Sequence, residues 1–305
     1  MSISEFSESL STTLADAVAV VARSVVRIDA RGRHGSTGTI IADDLVVTAA
    51  HTIEREQDIT VGLPDEDGPT QVRDGGPVPA TLLGSDPHTD IALLQVPGVR
   101  AAVTFAPVDG LRLGALALTV GRPGRLRAAI SILTVLDGPW RTPGGGRVDR
   151  WIETDLGGWP GFSGSPLLNT RGEVLGINTA GLAPRRSLAL PGETILRIVA
   201  SIRAHGRVRR GWLGIGAQPV RLPAASAVQV GRPWGLLVVS IAPDSPAERG
   251  GLLLGDTLLA LDGAAVGRVE ELVAALDADR IGQSVAVTVL RAGEVREVPL
   301  TLGGR

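Results

Sequence analysis

Apolar positions fall into short β-branched runs at 25–28, 37–41, 46–48, 59–63, 91–96, 116–120, 130–135, 151–154, 166–168 and 174–178, separated by Gly, Pro and Asp clusters. Many short strands with regular turn signals predict a β-barrel or sandwich. Two helical stretches interrupt this texture. Ser11 or Thr12 is placed to cap a short helix running to about Arg23, with Leu14, Val18 and Val21 on one face. A second helix is predicted over 193–205, with Ile195, Ile198, Val199 and Ile202 on one face. The polar, basic segment 205–211, bracketed by Gly, reads as a domain junction. Beyond it, strands are predicted at 236–241, 257–261, 284–290 and 295–301, and helices at 247–252 and 269–276. That pattern describes a small α+β module. The predicted organisation is a helical segment at 1–24, a β domain at 25–205, a linker at 206–211 and the module at 212–305.

Composition sharpens this picture mainly by exclusion. A chain of 305 residues has room for about two domains, and 44% hydrophobic with 20% charged residues is an ordinary globular balance. The formal net charge of -2 gives no global basic field, so no nucleic-acid partner is expected. With no cysteine, disulfides, thiolate metal sites and a Cys nucleophile are ruled out. The first ten residues are acidic where a signal peptide would be basic. The apolar stretch at 14–22 is broken by Asp16 and is too short to span a bilayer. These features predict a soluble, cytoplasmic chain without a membrane span. The alternative is a periplasmic or otherwise extracytoplasmic one, if a leader belongs to it.

Three segments carry candidate chemistry. V-V-T-A-A-H ends at His51, S-D-P-H-T-D-I-A-L-L carries Asp90 just before an apolar strand, and P-G-F-S-G-S-P carries Ser163. A nucleophilic serine needs a base within hydrogen-bond reach and a buried carboxylate to fix the tautomer of that base. The order His, Asp, Ser is that of the chymotrypsin arrangement. Gly161 permits the tight turn in which two backbone N–H groups, those of Gly161 and Ser163, converge on one oxyanion. His34, in an Arg/Gly loop, His205, at the junction, and His88, which follows no apolar strand, are weaker candidates for the base.

Together these motifs resemble those of the HtrA/Deg family of trypsin-like serine proteases with C-terminal PDZ domains. The resemblance rests on 46–51, on G-S-D-P-H-T-D-I-A-L-L at 84–94 and on T-D-L-G-G-W-P-G-F-S-G-S-P-L at 154–167. It continues in G-E-V-L-G-I-N-T-A at 172–180 and R-G-W-L-G-I at 210–215. It implies a mostly β chain, with a chymotrypsin-like double β-barrel followed by a small α+β PDZ domain. It also implies an endopeptidase acting on unfolded or damaged proteins, in protein quality control, as a homotrimer. Two positions depart from the family pattern. Phe162 stands where Asn is usual, and its size could bias the oxyanion turn towards a closed shape; Ser165 stands where Gly is usual. The loop 64–79 is expected to be short.

In proteases of this kind the residue six places before the nucleophile, here Gly157, sits at the base of the S1 pocket. A preference for Arg or Lys needs a carboxylate there, and Asp155 is at the wrong offset. The pocket is therefore expected to be neutral, walled by Asn178, Thr179, Ala180 and Gly181, and to favour small or medium aliphatic residues. The PDZ resemblance implies a peptide groove that takes a C-terminal or exposed apolar peptide. Trp212, Leu213, Gly214 and Ile215 would form its carboxylate loop, and Val269, Val273 and Leu276 its helical wall. No P-loop is present, so ATP is not expected to be used, and no cofactor or metal is expected. The competing reading is a silent PDZ-bearing chaperone or scaffold, with Phe162 as the one feature in its favour. A metal-dependent hydrolase finds no H-E-x-x-H among four histidines.

Overall fold

The computed structural model describes residues 2–32, 34–65, 76–183 and 186–304. It divides into two compact units, Met1–Thr142 with Gly146–Val208, and Pro143–Gly145 with Arg209–Arg305.

The first unit opens with α1 (Ile3–Val21). This helix starts well before the predicted cap at Ser11 or Thr12. Ser2 is the N-cap, and its side chain and that of Glu5 satisfy each other's backbone N–H groups in a capping box. The first half of α1 is largely exposed, although Ile3, Phe6 and Leu10 stand at helical spacing there; only Ala17 and Val21 are buried.

Two six-stranded antiparallel barrels follow. The first contains β1 (Val25–Asp29), β2 (Ser36–Ala42), β3 (Leu45–Ala49), β4 (Ile59–Gly62), β5 (Val78–Asp86) and β6 (Ile91–Gln95), closed in the order β1-β2-β3-β6-β5-β4. The second contains β7 (Leu116–Gly121), β8 (Arg127–Asp137), β9 (Trp151–Thr154), β10 (Pro166–Leu168), β11 (Val174–Thr179) and β12 (Ser187–Pro191), in the order β9-β12-β11-β10-β7-β8. The helix α2 (Gly192–His205) ends at Gly206 in the left-handed region. Strands β5 and β12 were not predicted. Pro79 and Gly84 break the alternation of β5, and β12 is buried at all five positions, so neither has a period of two. The expected short loop at 64–79 lies largely outside the described residues.

Alternating residues fill each barrel. Val26, Ile28, Ile40, Val46, Val61 and Leu94 pack in the first, and Leu133, Ile152, Leu167 and Leu175 in the second. A third cluster joins Val47, Ile91 and Leu93 of the first barrel to Ile177 and Leu190 of the second and to Ile195, Ile198 and Ile202 of α2. This seam fixes the ends of β3, β6 and β11 against one another. Arg122 is fully buried beside β7. It donates to the carbonyls of Val25 at 2.7 Å and Ala22 at 3.0 Å, and burial lowers its pKa to about 10.

The second unit is a five-stranded antiparallel path of β13 (Ile215–Arg221), β14 (Trp234–Ile241), β15 (Thr257–Leu261), β16 (Ser284–Arg291) and β17 (Glu294–Thr301) in sequential order, with Ala264–Ala265 paired to β15. Its helices are α3 (Ala224–Val230), α4 (Pro246–Arg249) and α5 (Val269–Ala275). The core holds Leu236, Val238, Leu258, Leu272, Val287 and Val289. Strand β13 was missed because it is a polar edge strand carrying Pro219, a residue that sheets tolerate at an edge.

Asp256 ties this sheet together. Its buried carboxylate accepts from Arg291 Nε and Nη2, each at 2.7 Å, and from the Leu253 N–H at 2.8 Å. Burial opposes its ionisation, but these hydrogen bonds and the Arg291 charge outweigh burial and hold its pKa below the usual value. A depressed carboxylate stabilises above its unfolded pKa of about 3.9, and that stability is lost as pH falls through the folded value. The urea midpoint of this unit is therefore expected to fall between about pH 5 and pH 3, with a shallower fall in Asp256→Asn.

Candidate active site

The β3–β6 pairing builds the first half of the site. Ala49 faces Ile91 in register, so Ala50 and Asp90 meet just beyond the strand ends, where the Ala50 N–H donates to the Asp90 carbonyl at 3.1 Å. A short 3-10 turn, Ala50–Thr52, then presents His51. Asp90 lies at φ 59°, in the left-handed region, after a turn in which Asp86 accepts from the His88 N–H and the Thr89 hydroxyl. Its buried carboxylate receives three donors. The His51 N–H reaches Oδ1 at 2.8 Å, His51 Nδ1 lies 2.7 Å from Oδ2, and the Thr179 hydroxyl also donates to Oδ2. A carboxylate can only accept, so Nδ1 carries the proton and Nε2 is left as the free acceptor of the neutral ring.

Thr179 ends β11 and also accepts the Gly181 N–H at 3.0 Å. Its hydroxyl is thus engaged with Asp90 and not with a pocket wall, which corrects the expected role of its side chain. A buried hydroxyl needs a partner, and the carboxylate has a lone pair to offer. A Cβ on Gly181 would lie 2.5 Å from Asp90 Oδ2 and 2.6 Å from His51 Nδ1, so only glycine fits beside the pair.

The Ser163 turn is held by residues that the sequence did not mark. The Thr37 hydroxyl donates to the Gly161 carbonyl at 2.7 Å and the Thr39 hydroxyl to the Gly164 carbonyl at 2.9 Å. Gly164 N–H donates to Asn178 O, and Asn178 N–H to Ser165 O, both at 2.8 Å. At Gly164, φ is 90° and a Cβ would lie 2.0 Å from the Thr37 carbonyl oxygen. No local pattern points to Thr37 or Thr39, because their partners lie more than a hundred residues away. Among the described residues the N–H groups of Gly161 and Ser163 have no acceptor, whereas that of Phe162 donates to Trp159 O at 3.2 Å. The Phe162 ring is buried with Ala129 and Leu156 and meets Trp159 edge-on at 5.5 Å.

Ser163 is itself nearly buried, and its Oγ accepts from the Ala180 N–H at 3.4 Å. Among the described residues no hydrogen bond joins it to the His51 ring; such contacts often tighten only when substrate is present. Gly157 lies at φ 69°. Asp155 accepts the Ile132 N–H at 2.9 Å. The Asn178 amide is buried and donates to Thr119 Oγ1 and Ser165 O rather than presenting itself as a wall.

In the C-terminal unit, Gly214 lies at φ 82°, and a Cβ there would lie 2.2 Å from Ser245 Cβ. The carbonyls of Leu213 and Gly214 accept from Ala247 and Ala242, while among the described residues their N–H groups have no acceptor. Strand β13, which begins at Ile215, is an edge strand among the described residues, and α5 packs along it. Val269 is exposed and Val273 half-buried, but two residues depart from expectation. The Leu213 side chain is buried in the core and not open to a groove, and Leu276 lies beyond the end of α5, half-buried against the same core.

The sequence matches the family model of the trypsin-like peptidase domain over residues 36–177 and that of the PDZ domain over 211–302. It is 32% identical over 275 residues to a probable periplasmic serine endoprotease, DegP-like, of Ectopseudomonas mendocina; the match spans 88% of this chain and 56% of that protein. A protein of the same description from Halomonas elongata is 33% identical, with 88% and 56% covered. The chain thus spans about half the length of these curated relatives. Among solved structures, the HtrA-type protease AlgW with a decapeptide superimposes with a TM-score of 0.71 at 26% identity, covering 96% of this chain and 98% of that one. The relatives' names correct the expected cytoplasmic location, since both are called periplasmic and point to that compartment instead. With both domains matched in this order and the double barrel in place, the chain belongs to the HtrA/Deg family of trypsin-like serine proteases with a C-terminal PDZ domain.

Proposed function

We propose that this chain is an ATP-independent serine endopeptidase with Ser163 as nucleophile, His51 as general base and Asp90 as the group that orients the base. The observation that carries the reading is the Asp90 carboxylate, with three donors on it and His51 Nδ1 at 2.7 Å. Ser163 Oγ attacks the substrate carbonyl carbon and gives its proton to His51 Nε2. The carbonyl oxygen becomes an oxyanion held by the N–H groups of Gly161 and Ser163. The imidazolium then protonates the leaving amine, which departs and leaves an acyl-enzyme. Water, deprotonated by His51, releases the acid and restores Ser163. Phe162 is the feature that favoured a silent scaffold, but its ring sits in an apolar seat and, among the described residues, those two N–H groups have no acceptor.

The proposed substrates are unfolded or damaged proteins, cut after small or medium aliphatic residues. The proposed base of the S1 pocket is Gly157, which brings no carboxylate to hold a cation, and Asp155, two places away in sequence, accepts the Ile132 N–H. The PDZ groove is proposed to take a C-terminal or exposed apolar peptide. It would add a strand to β13, and its terminal carboxylate would meet the N–H groups of Leu213 and Gly214. Family resemblance implies a homotrimer, which sedimentation velocity reads directly.

The test is a peptide set varied at the residue before the cleaved bond. Ala, Val or Leu there is expected to be cleaved at least about tenfold faster than Arg, the scale on which an uncompensated buried charge is rejected. Best cleavage after Arg would overturn the neutral pocket.

A further inference from the structure

A pocket of about 370 Å³ opens beside the Ser163 turn, lined among others by Arg27, His34, Arg125, Arg127 and Pro160. It adjoins the oxyanion turn directly, since a Cβ on Gly161 would meet Pro123 at 2.4 Å and the Gly35 carbonyl oxygen at 3.0 Å, and both residues line the pocket. Its charge is one-sided. Arg27 is paired with Asp29 at 2.8 Å, but among the described residues Arg125, Arg127 and the His34 ring make no hydrogen bond or ion pair, and no carboxylate lines the pocket. In a chain of net charge -2, two uncompensated guanidinium groups beside a reaction centre form a local anion-attracting field.

The placement says which part of a substrate reaches it. The far end of the turn is covered by β11 and the residues after it: Ala180 touches Ser163 Oγ, and Asn178 binds Gly164 and Ser165. That flank holds the acyl half, with its S1 residue. A chain whose carbonyl oxygen sits on the Gly161 and Ser163 N–H groups leaves over Gly161 and Pro160, towards the basic pocket. On the peptidase reading above, we infer that this pocket binds a substrate residue C-terminal to the cleaved bond and selects a carboxylate side chain there. Arg125 and Arg127 would be the selecting residues, because arginine's planar fork matches a carboxylate in two contacts.

The experiment places Asp, Glu or Gln in turn at each of three positions before and after the cleaved bond of a neutral peptide and measures kcat/KM. At one position after the bond, Asp or Glu is expected to beat Gln about tenfold, the scale of one charge-assisted hydrogen bond. The Arg125→Gln, Arg127→Gln double variant should bring that ratio close to one. In the wild-type protein, about 1 M salt should compress the same ratio by screening, a readout that needs no variant. Gln peptides cleaved with no acid preference after the bond, a preference confined to positions before it, or a preference insensitive to both salt and the double variant would each overturn the subsite alone. If no peptide in the set is cleaved, the peptidase reading fails and the subsite falls with it.

Discussion

Gly181→Ala is expected to lower kcat by about a thousandfold, approaching the loss seen when a triad aspartate is replaced, while the fold survives. The added methyl group would lie 2.5 Å from Asp90 Oδ2 and 2.6 Å from His51 Nδ1, closer than real carbon contacts allow. The carboxylate and the imidazole must then part, and the tautomer that leaves Nε2 bare loses its support. Gly181 does not lie at positive φ, so alanine adds no backbone strain. The thermal midpoint should accordingly move by only a few degrees, the shift expected of about 1 kcal/mol in a chain of this size. Because Gly181 also belongs to the proposed S1 wall, the kinetic constants separate the two roles. A raised KM for larger side chains with kcat intact would mean a wall residue only.

Asp90→Asn should cost more, about ten-thousandfold in kcat. Asp90 accepts from the His51 N–H, the His51 ring and Thr179. An amide has one accepting oxygen and one donating nitrogen, so it cannot accept from all three. With the amide oxygen kept on the His51 N–H, in the place of Oδ1, the amide nitrogen takes the place of Oδ2 and turns its N–H groups towards Nδ1 and the Thr179 hydroxyl. His51 then carries its proton on Nε2 and cannot take one from Ser163. Labelling of Ser163 by an electrophile should slow in parallel with peptide cleavage, since both need the same base.

The sequence already held much of this site, and the particular residues show why. His51, Asp90 and the Ser163 turn are read from local motifs because each requirement is local: a residue after a strand end, a turn aspartate before an apolar strand, glycines around a nucleophile. Most barrel strands were legible for a similar reason, as β-branched runs between turn residues. What escaped depends on contacts far along the chain. Thr179 read as a pocket wall until its hydroxyl was seen on Asp90, 89 residues away. Thr37 and Thr39 looked like ordinary strand threonines, yet they hold the two glycine carbonyls that flank the nucleophile. Arg122, of a residue type that is mostly exposed, is buried on the carbonyls of Ala22 and Val25. Strand β13 has no apolar period because, among the described residues, it stands at the edge of its sheet, and so it escaped notice although the peptide is proposed to bind there. The start of α1 was different. The Ser2–Glu5 capping box is a local signal, but Ser11 and Thr12 offer the same cap chemistry nearer the buried turns, so residue type alone does not choose between them.

The measurement that bears most directly on the account is labelling of the purified protein with a fluorophosphonate, with the adduct located by mass spectrometry. The reagent reacts only with an activated serine beside a working oxyanion site. The account predicts one adduct, on Ser163, absent in Ser163→Ala and in His51→Ala. A wild-type protein that stays unlabelled even with an apolar C-terminal peptide added, or that is labelled at another residue, would contradict it.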